Sequence, residues 1–190
     1  MSEPILLASK SPRRRELLSL ITPDYECVSS PADESGALSK DARELCTELA
    51  RRKCLAAAVI YPKRTVVGCD TVVCLETGEV LGKPRDAAEA HRMLSLLSGR
   101  THSVFTGVCV AQNGKEADAF ACRTLVSFYE MSARDIEEYI ATGEPFDKAG
   151  GYGAQGAAAK FIERIDGDYF NVVGLPVSRV YRSLRALGAL

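Results

Sequence analysis

A short apolar run, Pro4-Ile5-Leu6-Leu7-Ala8, leads directly into Ser9-Lys10-Ser11-Pro12-Arg13-Arg14. No other junction in the chain restricts the fold as much. The apolar run reads as a buried strand. Ser11 is a helix-capping residue type and Pro12 suits the first helical position, so a helix opens here and runs to about Leu20.

A strand feeding a helix start is a natural anion site. Unpaired backbone N–H groups and the positive end of the helix dipole point out of it. Ser9 and Ser11 add hydroxyl donors, and Arg13 and Arg14 add guanidinium forks suited to phosphate. The bland alternative is a solvated basic run, Arg13-Arg14-Arg15. Against it, cations at a helix N-terminus are unfavourable by roughly 0.3–1 kcal/mol each, so something should compensate them. A projection at about 100° per residue also places Arg13 and Arg14 in the arc of Leu17, Leu18, Leu20 and Ile21, with Arg15 and Glu16 outside it. Arg13 and Arg14 are therefore expected to face a cleft at the sheet end, and Arg15 to face water.

Further along, Asp41 to about Ile60 reads as a helix and Thr65–Leu75 as a strand. Asp86-Ala87-Ala88-Glu89 resembles a capping box, opening a helix that ends near Gly99. Strands are expected over Thr101–Gln112 and Glu116–Tyr129, joined at the hairpin signal Asn113-Gly114. Ser132-Ala133-Arg134-Asp135 opens a short helix stopped by Gly143, and Gly143–Gly156 reads as loop. Strands around Ala158–Ile165 and Tyr169–Val173 and a helix over Pro176–Leu187 complete the chain. The pattern predicts one α/β domain over residues 1–190, a mixed twisted β-sheet flanked by helices with a central cleft.

The chain of 190 residues has 24 basic and 25 acidic side chains and a net charge of −1. Such a balance does not suit coating a nucleic acid. Any bound anion must be held by a few placed cations. No apolar stretch approaches the ~18 residues a membrane span needs. A signal-peptide pattern is not expected either, since Lys10 and three arginines stand where its apolar region would be. The seven cysteines form no Cys-x-x-Cys pair and several lie in apolar runs, which suits reduced core residues and a cytoplasmic setting. With two histidines, a His/Cys zinc site is not expected.

Several polar residues sit in apolar places. Lys53 projects among Leu45, Cys46, Leu49 and Ile60, and a lysine on a buried side needs a partner or an anionic ligand. Asp70 interrupts the apolar run Thr65–Val73. A carboxylate there is costly unless paired, hydrogen-bonded or metal-bound, so a nearby Lys or Arg, a base role and a metal role are all open. Lys83, in Gly82-Lys83-Pro84, could present an ammonium to phosphate. Asp33 and Glu34 form an acidic pair that could help hold a divalent cation or simply be solvated. In the glycine-rich run Glu144–Gly156, backbone could approach a flat ligand, and the Gln155 amide could read a base edge.

Leu7-Ala8-Ser9-Lys10-Ser11-Pro12-Arg13-Arg14-Arg15-Glu16-Leu17-Leu18 closely resembles the opening motif of the Maf family of nucleoside triphosphate pyrophosphatases. Gly68-Cys69-Asp70-Thr71-Val72-Val73, Gly82-Lys83-Pro84, Ser98-Gly99-Arg100-Thr101-His102, Glu144-Pro145-Phe146-Asp147-Lys148-Ala149-Gly150 and Val173-Gly174-Leu175-Pro176 resemble its later motifs in order. The resemblance implies a deep nucleotide cleft, dependence on Mg²⁺ or Mn²⁺, and hydrolysis of a nucleoside triphosphate to monophosphate and pyrophosphate. It implies that Asp70 is the proton acceptor and that Arg13, Thr71 and Gln155 bear on substrate choice. Ser9, Arg14, Lys53 and Lys83 would complete the substrate site, with Glu34 and Asp70 the candidate metal ligands. The late motif through Gln155-Gly156 resembles that of members associated with dTTP and UTP, so these, with modified pyrimidine nucleotides, are the expected substrates. A homodimer is an open option for its assembly. Competing readings are a nucleotidyltransferase, a nucleotide-binding regulator of cell division without turnover, and a nucleic-acid-binding module, the last opposed by the charge balance.

Overall fold

In the computed structural model, which describes residues 3–32, 39 and 41–190, the opening apolar run is a fully buried strand, β1 (Ile5–Ala8). Its alternate residues serve opposite faces of the sheet. Ile5 and Leu7 pack in one apolar cluster, Leu6 and Ala8 in another. β1 runs into helix α1 (Pro12–Ser19), capped by Ser11, and the chain returns through β2 (Tyr25–Val28), parallel to β1. Helix α2 (Ala42–Ile60), capped by Asp41, leads to β3 (Val66–Cys74), which pairs parallel on the other side of β1. α1 buries Leu17 and Leu18 with Ile5 and Leu7, whereas α2 buries Ala50, Cys54 and Ala57 with Leu6 and Ala8. The two connections thus go to opposite sides of β1 over opposite faces. Such a reversal opens a crevice at the carboxyl ends of the strands, here at Ala8-Ser9.

The remaining elements are β4 (Val80–Leu81), α3 (Ala87–Leu97), β5 (Thr101–Gln112), β6 (Lys115–Phe128), α4 (Ala133–Ala141), β7 (Ile162–Asp166), α5 (Tyr169–Val173) and α6 (Val177–Ala186). Short 3-10 turns cover Glu144–Asp147, Ala149–Gly151 and Ala157–Phe161. Strand order is β2-β1-β3-β5-β6-β7, with β4 on β3. Pairing is parallel around β1 and antiparallel beyond β3, giving the expected mixed sheet flanked by helices. Asn113 (φ 53°) and Gly114 (φ 72°) both take the left-handed conformation that a tight hairpin turn requires.

Several local expectations need correction. Tyr169–Val173 is helix α5, not a strand: Asp168 caps it by accepting from the Phe170 N–H, and Gly174 ends it at φ 127°. Its aromatic and β-branched content suggested strand, but the caps and the buried bonds of Asn171 to Val104 and Thr124 prevail. The preceding strand begins at Ile162, because Ala157–Phe161 forms a 3-10 turn. Asp86 caps α3, but the Glu89 carboxylate accepts from the Arg85 N–H, so the reciprocal half of that capping box is absent. Leu20, expected in the buried arc, is 63% exposed because α1 stops at Ser19. Strands β2 and β4 were not anticipated. All seven cysteines are free thiols, four of them buried.

Candidate active site

β1 has four residues and β3 nine. β1 pairs with β3 only at Val66 and Val67, and β4 takes up its edge again at Val73 and Cys74. Among the described residues no strand covers Gly68–Val72 on that side. A cavity of about 740 Å³ lies at this gap, lined by Ala8 and Ser9 at one end and by Val80 to Lys83 at the other. That volume suits a nucleotide-sized ligand. Neighbouring residues of β3 point to opposite faces, so Asp70 meets α2 and Thr71 meets α1.

α2 lies directly on the sheet because two glycines leave room. A Cβ at Gly107 would collide with the Cys46 backbone, and one at Gly68 would stand 2.7 Å from the Ala50 carbonyl oxygen. This close approach lets Lys53 Nζ donate to Asp70 Oδ1 at 2.6 Å. The two side chains are 14% and 12% exposed. Two polar residues that each required a partner thus partner one another. Asp70 Oδ2 accepts no hydrogen bond from the described residues and stays available to the cavity.

On the other face, Arg14 is anchored. Its Nε donates to the Gly174 carbonyl at 2.9 Å and its Nη2 to Thr71 Oγ1 at 3.0 Å. Thr106 Oγ1 donates to the Asn171 carbonyl, so the 2.9 Å Thr71–Thr106 bond runs from the Thr71 hydroxyl to Thr106. Thr71 therefore has both hydroxyl functions engaged beneath Arg14. Arg13 Nη1 donates to Asp147 Oδ2 at 3.2 Å, while Lys148 Nζ donates to Asp147 Oδ1 at 2.6 Å. Burial pushes the Asp147 carboxyl up, but the Lys148 ammonium and Arg13 guanidinium outweigh it and hold the group below its usual range. Arg15 is exposed, as the projection expects.

Ser9, Arg13, Arg14, Lys53, Asp70, Thr71, Lys83 and Gln155 all line this cavity. Ser9 Oγ accepts from the Ser11 N–H at 3.2 Å, closing the first turn. Lys83 and Gln155 are exposed residues of the cavity wall. Asp33 and Glu34 lie outside the described residues. Lys148, Asp147 and Tyr152 also line the cavity, beyond the residues that the sequence singles out. A signal for the first two was present, an acid and a base together in an otherwise glycine-rich run. Among the described residues six basic side chains (Lys10, Arg13, Arg14, Lys53, Lys83, Lys148) line the cavity against two carboxylates, Asp70 and Asp147. On a chain of net charge −1, that local excess focuses positive potential where a polyanion would bind.

A family model described as Maf-like protein matches residues 4–187. The dTTP/UTP pyrophosphatase of Geobacillus sp. (strain WCH70) is 46% identical, covering 97% of this chain and 98% of its own length. That of Thermococcus gammatolerans is 50% identical, covering 97% of this chain and 96% of its own. Among solved structures, the Staphylococcus aureus Ham1 protein aligns at 18% identity over 66% of this chain and 71% of its own, with a TM-score of 0.49, too low to bear on function. With a family match over nearly its full length and relatives this similar, the chain belongs to the Maf family.

Proposed function

We propose that this protein hydrolyses nucleoside triphosphates, dTTP and UTP foremost, to the monophosphate and pyrophosphate. One observation carries the reading: a carboxylate, Asp70, stands on an open strand edge inside a cavity whose charged lining is mostly cationic. The names of the full-length relatives support the choice of substrate.

The first turn and Arg13 and Arg14 would grip the triphosphate, with Lys53 and Lys83 adding positive charge from α2 and from the segment after β4. Lys53 fixes Asp70 through Oδ1, which leaves Oδ2 to accept a proton from water. Water oxygen attacks the α-phosphorus, the bond to the α–β bridging oxygen breaks, and pyrophosphate leaves. The cations stabilise the charge gathering on the leaving group. General-base assistance of this kind is typically worth ~10²–10⁴-fold.

A divalent metal fits the donor set in one specific way. Among the described residues no three of His, Cys, Asp and Glu are grouped to hold an ion. Mg²⁺ is usually held by one or two carboxylates plus substrate phosphates, and Asp70 supplies such a carboxylate at the cavity wall. Asp70, with Glu34, would hold Mg²⁺ or Mn²⁺, which when bound supplies charge neutralisation on phosphate oxygens. Among the described residues no helix is long and apolar enough to cross a membrane. The free thiols and a nucleotide substrate suit the cytoplasm.

The test is a panel of canonical and modified nucleoside triphosphates with Mg²⁺ or Mn²⁺, scored for pyrophosphate. Release from UTP and dTTP without any acceptor is the expected result. Saturable binding without release over hours would instead make the protein a nucleotide sensor, and a strict need for an acceptor would make it a transferase.

A further inference from the structure

Gln155 lies at the cavity wall on a short turn closed by the Gly156 N–H donating to the Gly153 carbonyl at 3.2 Å. Among the described residues no side-chain hydrogen bond holds its amide. The segment around it is held at both ends. At the start, the buried Tyr152 hydroxyl shares a 2.7 Å hydrogen bond with His102 Nε2. The rings of His102, Phe128 and Tyr152 meet edge to face, with centroids 4.8 to 5.4 Å apart. At the end, the Ala157 N–H donates to Glu144 Oε2 at 2.9 Å, and the Tyr139 hydroxyl steadies Glu144 Oε1 at 3.3 Å. Glu144 also lies so close to Gly156 that a Cβ there would overlap its carboxylate.

His102 is an expensive choice for its place. It is 1% exposed, its Nδ1 has no partner among the described residues, and burial pushes its pKa down to about 4. A phenylalanine would pack against Phe128 and Tyr152 with no polar group to desolvate. What the imidazole adds is a fixed partner for one hydroxyl, three residues before Gln155. Groups that read a ligand edge must be held to within about half an ångström, and sites on loops need supporting bonds to achieve that.

We propose that His102 and Glu144 are positioning residues for base selection, fixing the two ends of segment 152–157 so that Gln155 is pre-set against the base. The inference rests on Gln155 being the base-reading group. It is tested with kcat/KM for UTP and for CTP, measured on one preparation of each variant. Their ratio cancels the folded fraction, so a purely structural role would leave it unmoved. Gln155→Ala should collapse the ratio. Tyr152→Phe, His102→Phe and Glu144→Gln should each lower it about tenfold through a raised KM for UTP, as displaced binding groups do. Because His102 and Tyr152 act as a unit, the double variant His102→Phe/Tyr152→Phe should lower it no further than either single variant. If Gln155→Ala collapses the ratio while the other variants lower only the melting temperature, His102 and Glu144 are merely structural and the inference is overturned. If Gln155→Ala leaves the ratio unchanged, or if wild type does not distinguish UTP from CTP, the base-reading role of Gln155 falls and this inference with it.

Discussion

Two of the ion pairs that line the cleft, Lys53–Asp70 and Arg13–Asp147, are built differently. Lys53–Asp70 is short, at 2.6 Å, with both side chains less than one-sixth exposed. Arg13–Asp147 is longer, at 3.2 Å, with side chains 28% and 62% exposed. The first is set by packing, since α2 rests on the sheet at Gly68 and Gly107 and carries Lys53 to β3. The second joins the start of helix α1 to the 3-10 turn Glu144–Asp147, and water screens it. A pair of the first kind holds a reacting group in place. A pair of the second kind is readily exchanged, and a phosphate of the substrate could take the place of Asp147 on Arg13.

This contrast can be broken most severely at Asp70. Asp70→Asn should lower turnover of UTP by about 10²–10⁴-fold with the circular dichroism spectrum unchanged, read by pyrophosphate release. Lys53→Met leaves a mostly buried carboxylate without its ammonium, and should cost about 3 kcal/mol in urea unfolding. The double variant Lys53→Met/Asp70→Asn should recover part of that stability, because the uncompensated charge is gone. A buried neutral pair sharpens the point. His102 has its folded-state pKa depressed from 6.5 to about 4, so the unfolded chain binds the proton more tightly. Its contribution is fully present above pH 6.5 and should decline by about 3 kcal/mol as the pH falls to 4, a slope that His102→Phe removes. The rim pair should respond least. Asp147→Asn should change stability by less than about 1 kcal/mol. It should also lower KM for UTP a few-fold by releasing Arg13, an effect that fades at about 0.5 M salt. Arg15→Ala should leave both stability and KM near wild type, because Arg15 is exposed on the far side of α1.

The same contrast explains what could be read from the chain alone. Local signals were legible: the Ser11-Pro12 helix start, the Asn113-Gly114 hairpin and the helix starts at Asp41 and Ser132 each depend on neighbours in sequence. So were residues whose chemistry did not suit their surroundings. Lys53 and Asp70 each visibly required a partner, although nothing in sequence matched them, because their meeting depends on how α2 lies across β3. Elements defined by long-range pairing were hidden. β4 is two residues long and β2 is a half-buried edge strand, and both exist through their neighbours in the sheet. α5 misled in the opposite way, its strand-like residues overridden by capping and by Asn171. Asp147 was missed because its role depends on Arg13, 134 positions away.

The most direct measurement is hydrolysis of UTP in ¹⁸O-labelled water, with the label located by mass spectrometry. Attack at the α-phosphorus from the Asp70 side of the cleft places ¹⁸O in UMP and none in pyrophosphate, at a rate that Asp70→Asn depresses by at least about a hundredfold. Label in pyrophosphate, release of inorganic phosphate with UDP, or undiminished turnover by Asp70→Asn would contradict the assignment of Asp70 and its cleft.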